Sequence, residues 1–140
     1  MANLVQDVMT RHPKVVRASS TVMDAACIMR DFKIGDVIVV DDANQVRGIV
    51  TDRDLAVTAV ASGSDPSKTS IESVCTKDVT VLKPTQTTED AVTIMREKAI
   101  RRLPVVEAGN LVGIVSLGDL AKHIDRGSCL GQISAAPPNN

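Results

Sequence analysis

The chain of 140 residues contains no Trp, no Tyr and a single Phe, Phe32. With a single aromatic ring it cannot build the stacking platforms of several rings on which single-stranded nucleic-acid binders hold bases. It also cannot build an aromatic cage around a cationic ligand. The apolar residues, which make up 44% of the chain, must therefore form an aliphatic core.

Neither charge nor hydrophobicity is concentrated enough to indicate a nucleic-acid or membrane partner. Sixteen basic and seventeen acidic residues leave a net charge of −1, so general attraction to DNA or to an anionic membrane is not expected. No apolar run approaches the length of a membrane span, and residues 1–4 lack the features of a signal peptide. Three cysteines, without paired spacing, predict no disulfide framework and favour the cytoplasm.

Recognisable catalytic and metal-binding patterns are also missing from the sequence. His12 and His123 have no Cys or His at ligand spacing, so no zinc site is expected. Paired carboxylates, a Ser-His-Asp set and a phosphate-binding P-loop are not found. The sequence therefore predicts a protein that is not an enzyme.

An internal repeat is the strongest signal that is present. The segment AACIMR beginning at Ala25 recurs as AVTIMR at Ala91, and GIV beginning at Gly48 recurs at Gly113. The offset is 66 residues for the first pair and 65 for the second, so one residue is lost between them. Because single-residue length changes belong in turns, the loss predicts a hairpin loop in the region that begins at Asp41.

Each repeat has the pattern of a β-α-β-β-α unit. In the first repeat we predict strands at 14–17, 37–40 and 46–50, and helices at 21–32 and 51–61. In the second we predict strands at 80–82, 103–106 and 111–115, and helices at 87–98 and 116–125. Brief helices are predicted at 4–9 and 71–74.

These elements predict an α/β (α+β) fold with an internal pseudo-two-fold. The predicted domains are repeat 1 at 3–61, a linker at 62–69 rich in turn formers, repeat 2 at 70–125 and a flexible tail at 126–140. Sixty residues are marginal as an independent domain, so the two repeats are expected to bury apolar faces against each other.

Four segments carry a resemblance to a known family. They are GIVTDRD from Gly48, GIVSLGD from Gly113, IGDVIVV from Ile34 and IRRLPVV from Ile100. Recurring in this order in both halves, they resemble a tandem pair of CBS domains, called a Bateman module, over roughly residues 3–125. The resemblance implies a regulatory role, a cleft between the repeats that binds an adenosine-containing ligand, and a homodimer formed through helices.

Two carboxylates at helix starts are the candidate ribose-binding groups. A carboxylate can accept hydrogen bonds from both hydroxyls of a ribose, and Asp54 and Asp119 hold that place. The hydroxyls of Thr51 and Ser116 are candidates for contacts to ribose or phosphate near a helix N-terminus. The same spacing is that of a helix capping box, which occurs without any ligand, so both interpretations stay open at this stage.

The second repeat carries the candidate phosphate-binding groups. Guanidinium groups suit phosphate oxygens, and Arg101 and Arg102 precede a predicted strand, although they could equally be a solvated pair. The first repeat has Gly35 and Asp36 there, and the negative charge of Asp36 disfavours phosphate. We therefore expect the site around Asp119 to be the better one. The aliphatic residues expected to hold a base are Val79, Val81, Ile100 and Pro104.

The sequence thus predicts a stand-alone cytoplasmic sensor of AMP, ATP, NAD or S-adenosylmethionine, with AMP or ATP favoured as ligand. It requires no cofactor and would signal to an unidentified effector protein. The alternative is a ligand-free structural or protein-interaction module. Met23, Cys27 and Phe32 are apolar where the second repeat is polar, which fits either core packing or a dimer interface.

Overall fold

The computed structural model describes residues 3–124, which form two compact units. Unit 1 contains residues 3–13 together with 80–124, and unit 2 contains residues 14–79. The helices are α1 Val5–Val8, α2 Val22–Phe32, α3 Asp52–Asp54, α4 Thr88–Lys98 and α5 Leu117–Ile124. The strands are β1 Thr10–Arg11, β2 Val15–Arg17, β3 Asp36–Val40, β4 Val46–Thr51, β5 Arg102–Glu107 and β6 Asn110–Ser116.

Unit 2 is a three-stranded sheet covered by helices. Strand β3 lies in the middle, parallel to β2 and antiparallel to β4. Helix α2 begins with a capping box between Thr21 and Asp24 and ends at Lys33, which has a left-handed conformation. Helix α3 continues directly into a π-helical stretch, Leu55–Val60. The apolar sides of these elements form one aliphatic core, as the lack of aromatic residues requires.

Unit 1 has the same helix and β-hairpin, but its third strand is β1 from the N-terminal arm, so its middle strand is the second strand of the hairpin and not the first. Strand β6 lies between β5 and β1 and is antiparallel to both. Helix α4 begins with the capping box of Thr87 and Asp90 and ends at Ala99, again in a left-handed conformation. Each helix of the pair has eleven residues and the same type of start and end. The internal repeat therefore marks a repeated fold, and the predicted mixed α/β class is confirmed.

The compact units do not coincide with the sequence repeats, because each repeat is preceded by an arm that packs elsewhere. The N-terminal arm, residues 3–11, lies on unit 1, where the Val5 N–H donates to the Gln86 carbonyl at 2.7 Å. The second arm, residues 69–76, lies on unit 2, where the Ile71 N–H donates to the Ser20 carbonyl at 2.8 Å. The side chains of Val5 and Ile71 are fully buried and complete the two cores.

The predicted hairpin loops are confirmed. In unit 1, Glu107 pairs with Asn110 and leaves a two-residue turn of Ala108 and Gly109, both with positive φ. In unit 2 the turn is longer, and the Asp41 N–H donates to the Gln45 carbonyl at 3.0 Å. The residue missing from the second repeat is therefore a turn residue.

Several predicted elements differ in extent from those observed. Residues 80–82 form only an isolated parallel bridge from Leu82 to Val105, not a strand. The brief helix predicted at 71–74 is a 3₁₀ turn, Ile71–Ser73. Strand β1 was not predicted, because two exposed residues carry no periodicity. The predicted tail, residues 126–140 with Cys129, lies outside the described residues.

Core packing does not explain the extra apolar residues of α2. Met23 is 44% exposed and Phe32 is 53% exposed, and the Lys14 ammonium lies 4.0 Å from the centroid of the Phe32 ring. The core interpretation is wrong for both residues. Cys27 is half-buried. None of the helices within residues 3–124 combines the length and apolarity needed to cross a bilayer.

Candidate functional site

Four capping boxes with nearly identical geometry begin the main helices, and two of them hold the candidate ribose-binding residues. In unit 2 the Thr51 N–H donates to Asp54 Oδ2 at 2.9 Å, and the Asp54 N–H donates to Thr51 Oγ1 at 3.0 Å. In unit 1 the Ser116 N–H donates to Asp119 Oδ2 at 2.9 Å, and the Asp119 N–H donates to Ser116 Oγ at 3.1 Å. All four residues are half-buried.

Capping occupies only part of each carboxylate. In the Asp54 and Asp119 boxes the hydrogen bond from the backbone N–H falls on Oδ2, and Oδ1 can accept from another donor. Asp119 Oδ1 lies 3.7 Å from Lys122 Nζ. The capping role and the ligand role, which the sequence left as alternatives, are therefore compatible within one side chain.

The two predicted arginines lie beside the second of these boxes. Arg102 is the first residue of β5 and is the register partner of Ser116, the last residue of β6. The Arg101 carbonyl accepts the Leu117 N–H at 2.8 Å, so its backbone is tied to the start of α5. Both arginines are exposed. Unit 1 thus places two cations, a hydroxyl and a carboxylate at one edge of its sheet.

The corresponding edge of unit 2 has the opposite charge. The Gly35 carbonyl accepts the Asp52 N–H at 2.9 Å, in the place that Arg101 and Leu117 occupy in unit 1. Asp36 is the register partner of Thr51, in the place of Arg102. Asp36 therefore replaces Arg102, Gly35 replaces Arg101, and Asp52 adds a second carboxylate in the place of Leu117. These differences favour unit 1 over unit 2 for an anionic ligand.

The four predicted aliphatic residues fall in different environments. Val81 is 41% exposed and lies at the surface of unit 1. Ile100 is half-buried against the unit 1 core, and Pro104 is fully buried in β5. Val79 is half-buried and belongs to unit 2. Within unit 1, Val81 is therefore the predicted residue that presents most apolar surface for a base.

A backbone acceptor in unit 1 was not identified from the sequence. In unit 2 the Ile38 N–H donates to the Lys14 carbonyl at 3.3 Å. The position equivalent to Ile38 in unit 1 is Pro104, which has no N–H. The hydrogen bonds of Leu82 to Pro104 and Val106 set the register of this segment against β5. In that register the Thr80 carbonyl faces Pro104, and it receives no hydrogen bond from β5. The signal was the Ile-to-Pro difference between the repeats.

The remaining ionisable groups do not form a metal-binding cluster in the described part of the chain. Among residues 3–124, no three His, Cys, Asp or Glu side chains cluster closely enough to hold a metal ion. Cys75 is half-buried, and burial raises the pKa of its thiol despite the opposing charge of Lys77. The Cys75 thiol donates to the Glu72 carbonyl at 3.7 Å. A raised pKa disfavours the reactive thiolate.

Comparison with protein families finds two matches of one family within the chain. The CBS domain profile matches residues 5–59 and again residues 71–126. The chain belongs to the CBS-domain family. CBS-domain pair proteins are in general regulatory and signal-transduction modules rather than enzymes.

Similar proteins include stand-alone CBS pairs. The CBS domain-containing protein YhcV of Bacillus subtilis is 37% identical over 134 residues, which cover 93% of this chain and 94% of YhcV. The solved structure of a protein with CBS domains from Burkholderia ambifaria has a TM-score of 0.80 at 31% identity, and the match covers 90% of this chain and 96% of that one. A hexameric CBS-CP12 protein from bloom-forming cyanobacteria has a TM-score of 0.76 at 30% identity, with coverages of 88% and 72%.

Proposed function

We propose that this CBS pair is a regulatory module that binds an adenine nucleotide, AMP or ATP, at the sheet edge of unit 1. The observation that carries the proposal is the Thr80 carbonyl, which receives no donor from β5 because Pro104 has no N–H. The 6-amino group of adenine can donate to such an acceptor. Guanine has a carbonyl oxygen in place of this amino group. That oxygen would be repelled by the Thr80 oxygen, because both atoms carry a partial negative charge.

The rest of the edge supplies an acceptor for the ribose hydroxyls and cations for the phosphate, which a nucleotide site also needs. Asp119 Oδ1 can accept a ribose hydroxyl while Oδ2 keeps its capping bond to the Ser116 N–H. Arg101 and Arg102, both exposed, can pair with phosphate through their guanidinium forks. Exposed Val81 adds an apolar surface beside the base acceptor. Aliphatic contact and backbone hydrogen bonding thus take the role that aromatic stacking has in other nucleotide sites.

Thermal unfolding of the purified protein with a panel of ligands tests this proposal. AMP or ATP at about a hundred times its dissociation constant should stabilise the native state by about 2.7 kcal/mol and raise Tm by about 5 °C or more. GMP at the same concentration is the matched control and should produce a much smaller shift. NAD and S-adenosylmethionine complete the panel.

The absence of Trp and Tyr gives the experiment a second readout, because the protein hardly absorbs where adenine does. A retained adenine ligand would dominate the ultraviolet spectrum of the purified protein and its denatured supernatant. No shift with any adenine compound at millimolar concentration, and no retained chromophore, would contradict the proposal. That result would favour the ligand-free interaction module.

We further propose that the chain forms a homodimer through unit 2 and passes its signal to an effector protein. The support is a set of large apolar side chains exposed on α2 and on the π-helical stretch that follows α3, namely Met23, Phe32, Val57 and Val60. Exposed apolar surface of this kind is typical of an interaction site.

Light scattering at micromolar concentration tests the dimer. The native protein should have about twice the mass of one chain, and the double variant Met23→Glu with Val60→Glu should be monomeric because it places charge in an apolar interface. Glu89→Gln, on the polar surface of α4, is the control and should leave the mass unchanged. A monomeric native protein would contradict this part of the proposal.

A further inference from the structure

Lys122 is a charged group of unit 1 for which the sequence comparison suggested no role. It lies on α5, three residues after Asp119, and its Nζ is 3.7 Å from Asp119 Oδ1. The Asp119 side chain is only 14% exposed, whereas that of Lys122 is 44% exposed. The position equivalent to Lys122 in unit 2 is Val57, so the ion pair distinguishes the two candidate sites.

The ion pair competes for the oxygen that a ribose needs. Asp119 Oδ2 accepts the Ser116 N–H, which leaves Oδ1 as the less occupied oxygen for a ribose hydroxyl. Lys122 approaches that same Oδ1. A nucleoside without phosphate therefore displaces or weakens the Lys122 contact and offers the ammonium group no new anion in return.

A nucleotide changes this balance in two ways. Its phosphate is attached to the ribose that Asp119 is proposed to bind, and it offers Lys122, whose Nζ lies 3.7 Å from Asp119 Oδ1, a new anionic partner. Lys122 also offsets the negative charge of Asp119, which would otherwise repel a phosphate held by the neighbouring Arg101 and Arg102. Both effects favour ligands that carry phosphate over those that do not.

We infer that Lys122 is a specificity-determining residue that makes adenosyl ligand binding at unit 1 depend on a phosphate group. The inference rests on the proposed nucleotide site and assigns to Lys122 the selection of adenosine phosphates over uncharged nucleosides at that site. Lys122 acts through its ion pair with Asp119 in the empty site and through phosphate in the occupied one. Unit 2, which has Val57 there and Asp36 nearby, lacks this selection.

The experiment compares adenosine and AMP binding to native protein and two variants by isothermal titration calorimetry. Native protein should bind AMP more tightly than adenosine. Lys122→Met keeps an unbranched side chain that is one atom shorter and removes its charge. It should weaken AMP by about ten-fold, the loss of a charge-assisted contact, and strengthen adenosine by roughly two-fold, the release of a half-exposed ion pair. Lys122→Arg keeps the positive charge and should retain the native preference, whereas a merely structural role for the aliphatic stem would leave the preference unchanged in Lys122→Met as well.

The outcomes separate this inference from the nucleotide site itself. If native protein binds AMP and the AMP-to-adenosine affinity ratio is the same in Lys122→Met, Lys122 has no part in selection and the inference is wrong. If native protein binds neither compound, the proposed function fails first and the inference falls with it. The thermal unfolding of both variants without ligand should match that of native protein within about 2 °C, because a half-exposed pair contributes little to stability.

Discussion

Gly48→Ala should destabilise the protein by about 3 kcal/mol, more than any other single methyl group added to a described glycine. A Cβ atom at Gly48 would lie 2.6 Å from the Thr76 carbonyl oxygen and 2.8 Å from Cys75 Sγ. The first of these is a backbone atom that accepts the Ile49 N–H at 3.0 Å, and the Thr76 N–H in turn donates to the Ile49 carbonyl at 2.9 Å. The second arm must therefore move away from β4, and both bonds would weaken.

Gly113, the equivalent residue of unit 1, provides the matched comparison. A Cβ atom there would lie 2.5 Å from Met9 Sδ and 3.0 Å from the Thr10 carbonyl oxygen. Because the nearest atom belongs to a flexible methionine side chain that can rotate away, Gly113→Ala should cost only about 1–2 kcal/mol.

Urea unfolding of the variants measures both effects. Gly35→Ala is a suitable control, because its Cβ would meet only the flexible Asp52 side chain, at 3.0 Å, and should cost less than about 1 kcal/mol. Equal destabilisation by Gly48→Ala and Gly113→Ala would show that the two arms move aside equally easily. That result would contradict the expectation that a clash with a backbone atom costs more than a clash with a flexible side chain.

The arms also show where inference from the sequence ended. Hydrophobic periodicity and capping boxes located α2 and α4 to within one residue, because those signals are local. The repeat revealed that residues 4–9 and 71–74 are equivalent. It could not reveal that each arm packs outside its own repeat, since Val5 and Ile71 are apolar residues that either core would accept. Which core receives them depends on chain geometry, which a sequence pattern does not encode.

Only part of the candidate site could be predicted from the sequence, for a similar reason. The spacing Thr51-x-x-Asp54 and Ser116-x-x-Asp119 specifies hydrogen bonds between neighbours in the chain, and those bonds are present. The Thr80 carbonyl became visible only through the register between Leu82 and β5, which is a long-range property. The sequence predicts an apolar contact for the Pro104 side chain, and the strand pairing adds that Pro104 has no N–H to donate to the Thr80 carbonyl. Hydrogen bonds between residues close in the chain could thus be predicted from the sequence, whereas the missing donor to the distant Thr80 carbonyl could not.

Asp119→Ala should abolish the thermal shift produced by AMP while destabilising the empty protein by only about 1 kcal/mol. The ligand effect is the larger one, because the variant loses the carboxylate on which the ribose is proposed to bind. The stability effect is small, because only the capping bond from the Ser116 N–H and a half-exposed ion pair with Lys122 disappear.

Asp90→Ala is the control that separates these two losses. Asp90 forms the same box with Thr87, accepting the Thr87 N–H at 3.2 Å, but begins α4, which carries no candidate ligand group. It should show the same loss of about 1 kcal/mol and retain the full AMP shift. If Asp90→Ala removed the shift as well, the effect of Asp119→Ala would be one of helix stability and not of binding.

Asp54→Ala completes the comparison, since it removes the equivalent carboxylate of unit 2. The acidic edge formed by Asp36 and Asp52 disfavours phosphate there, so the AMP shift should persist in this variant. Loss of the AMP shift in Asp54→Ala together with its survival in Asp119→Ala would reverse the assignment and place the nucleotide on unit 2. The same Asp→Ala substitution at three positions thus separates the effects of helix capping, of ligand binding and of the difference between the two units.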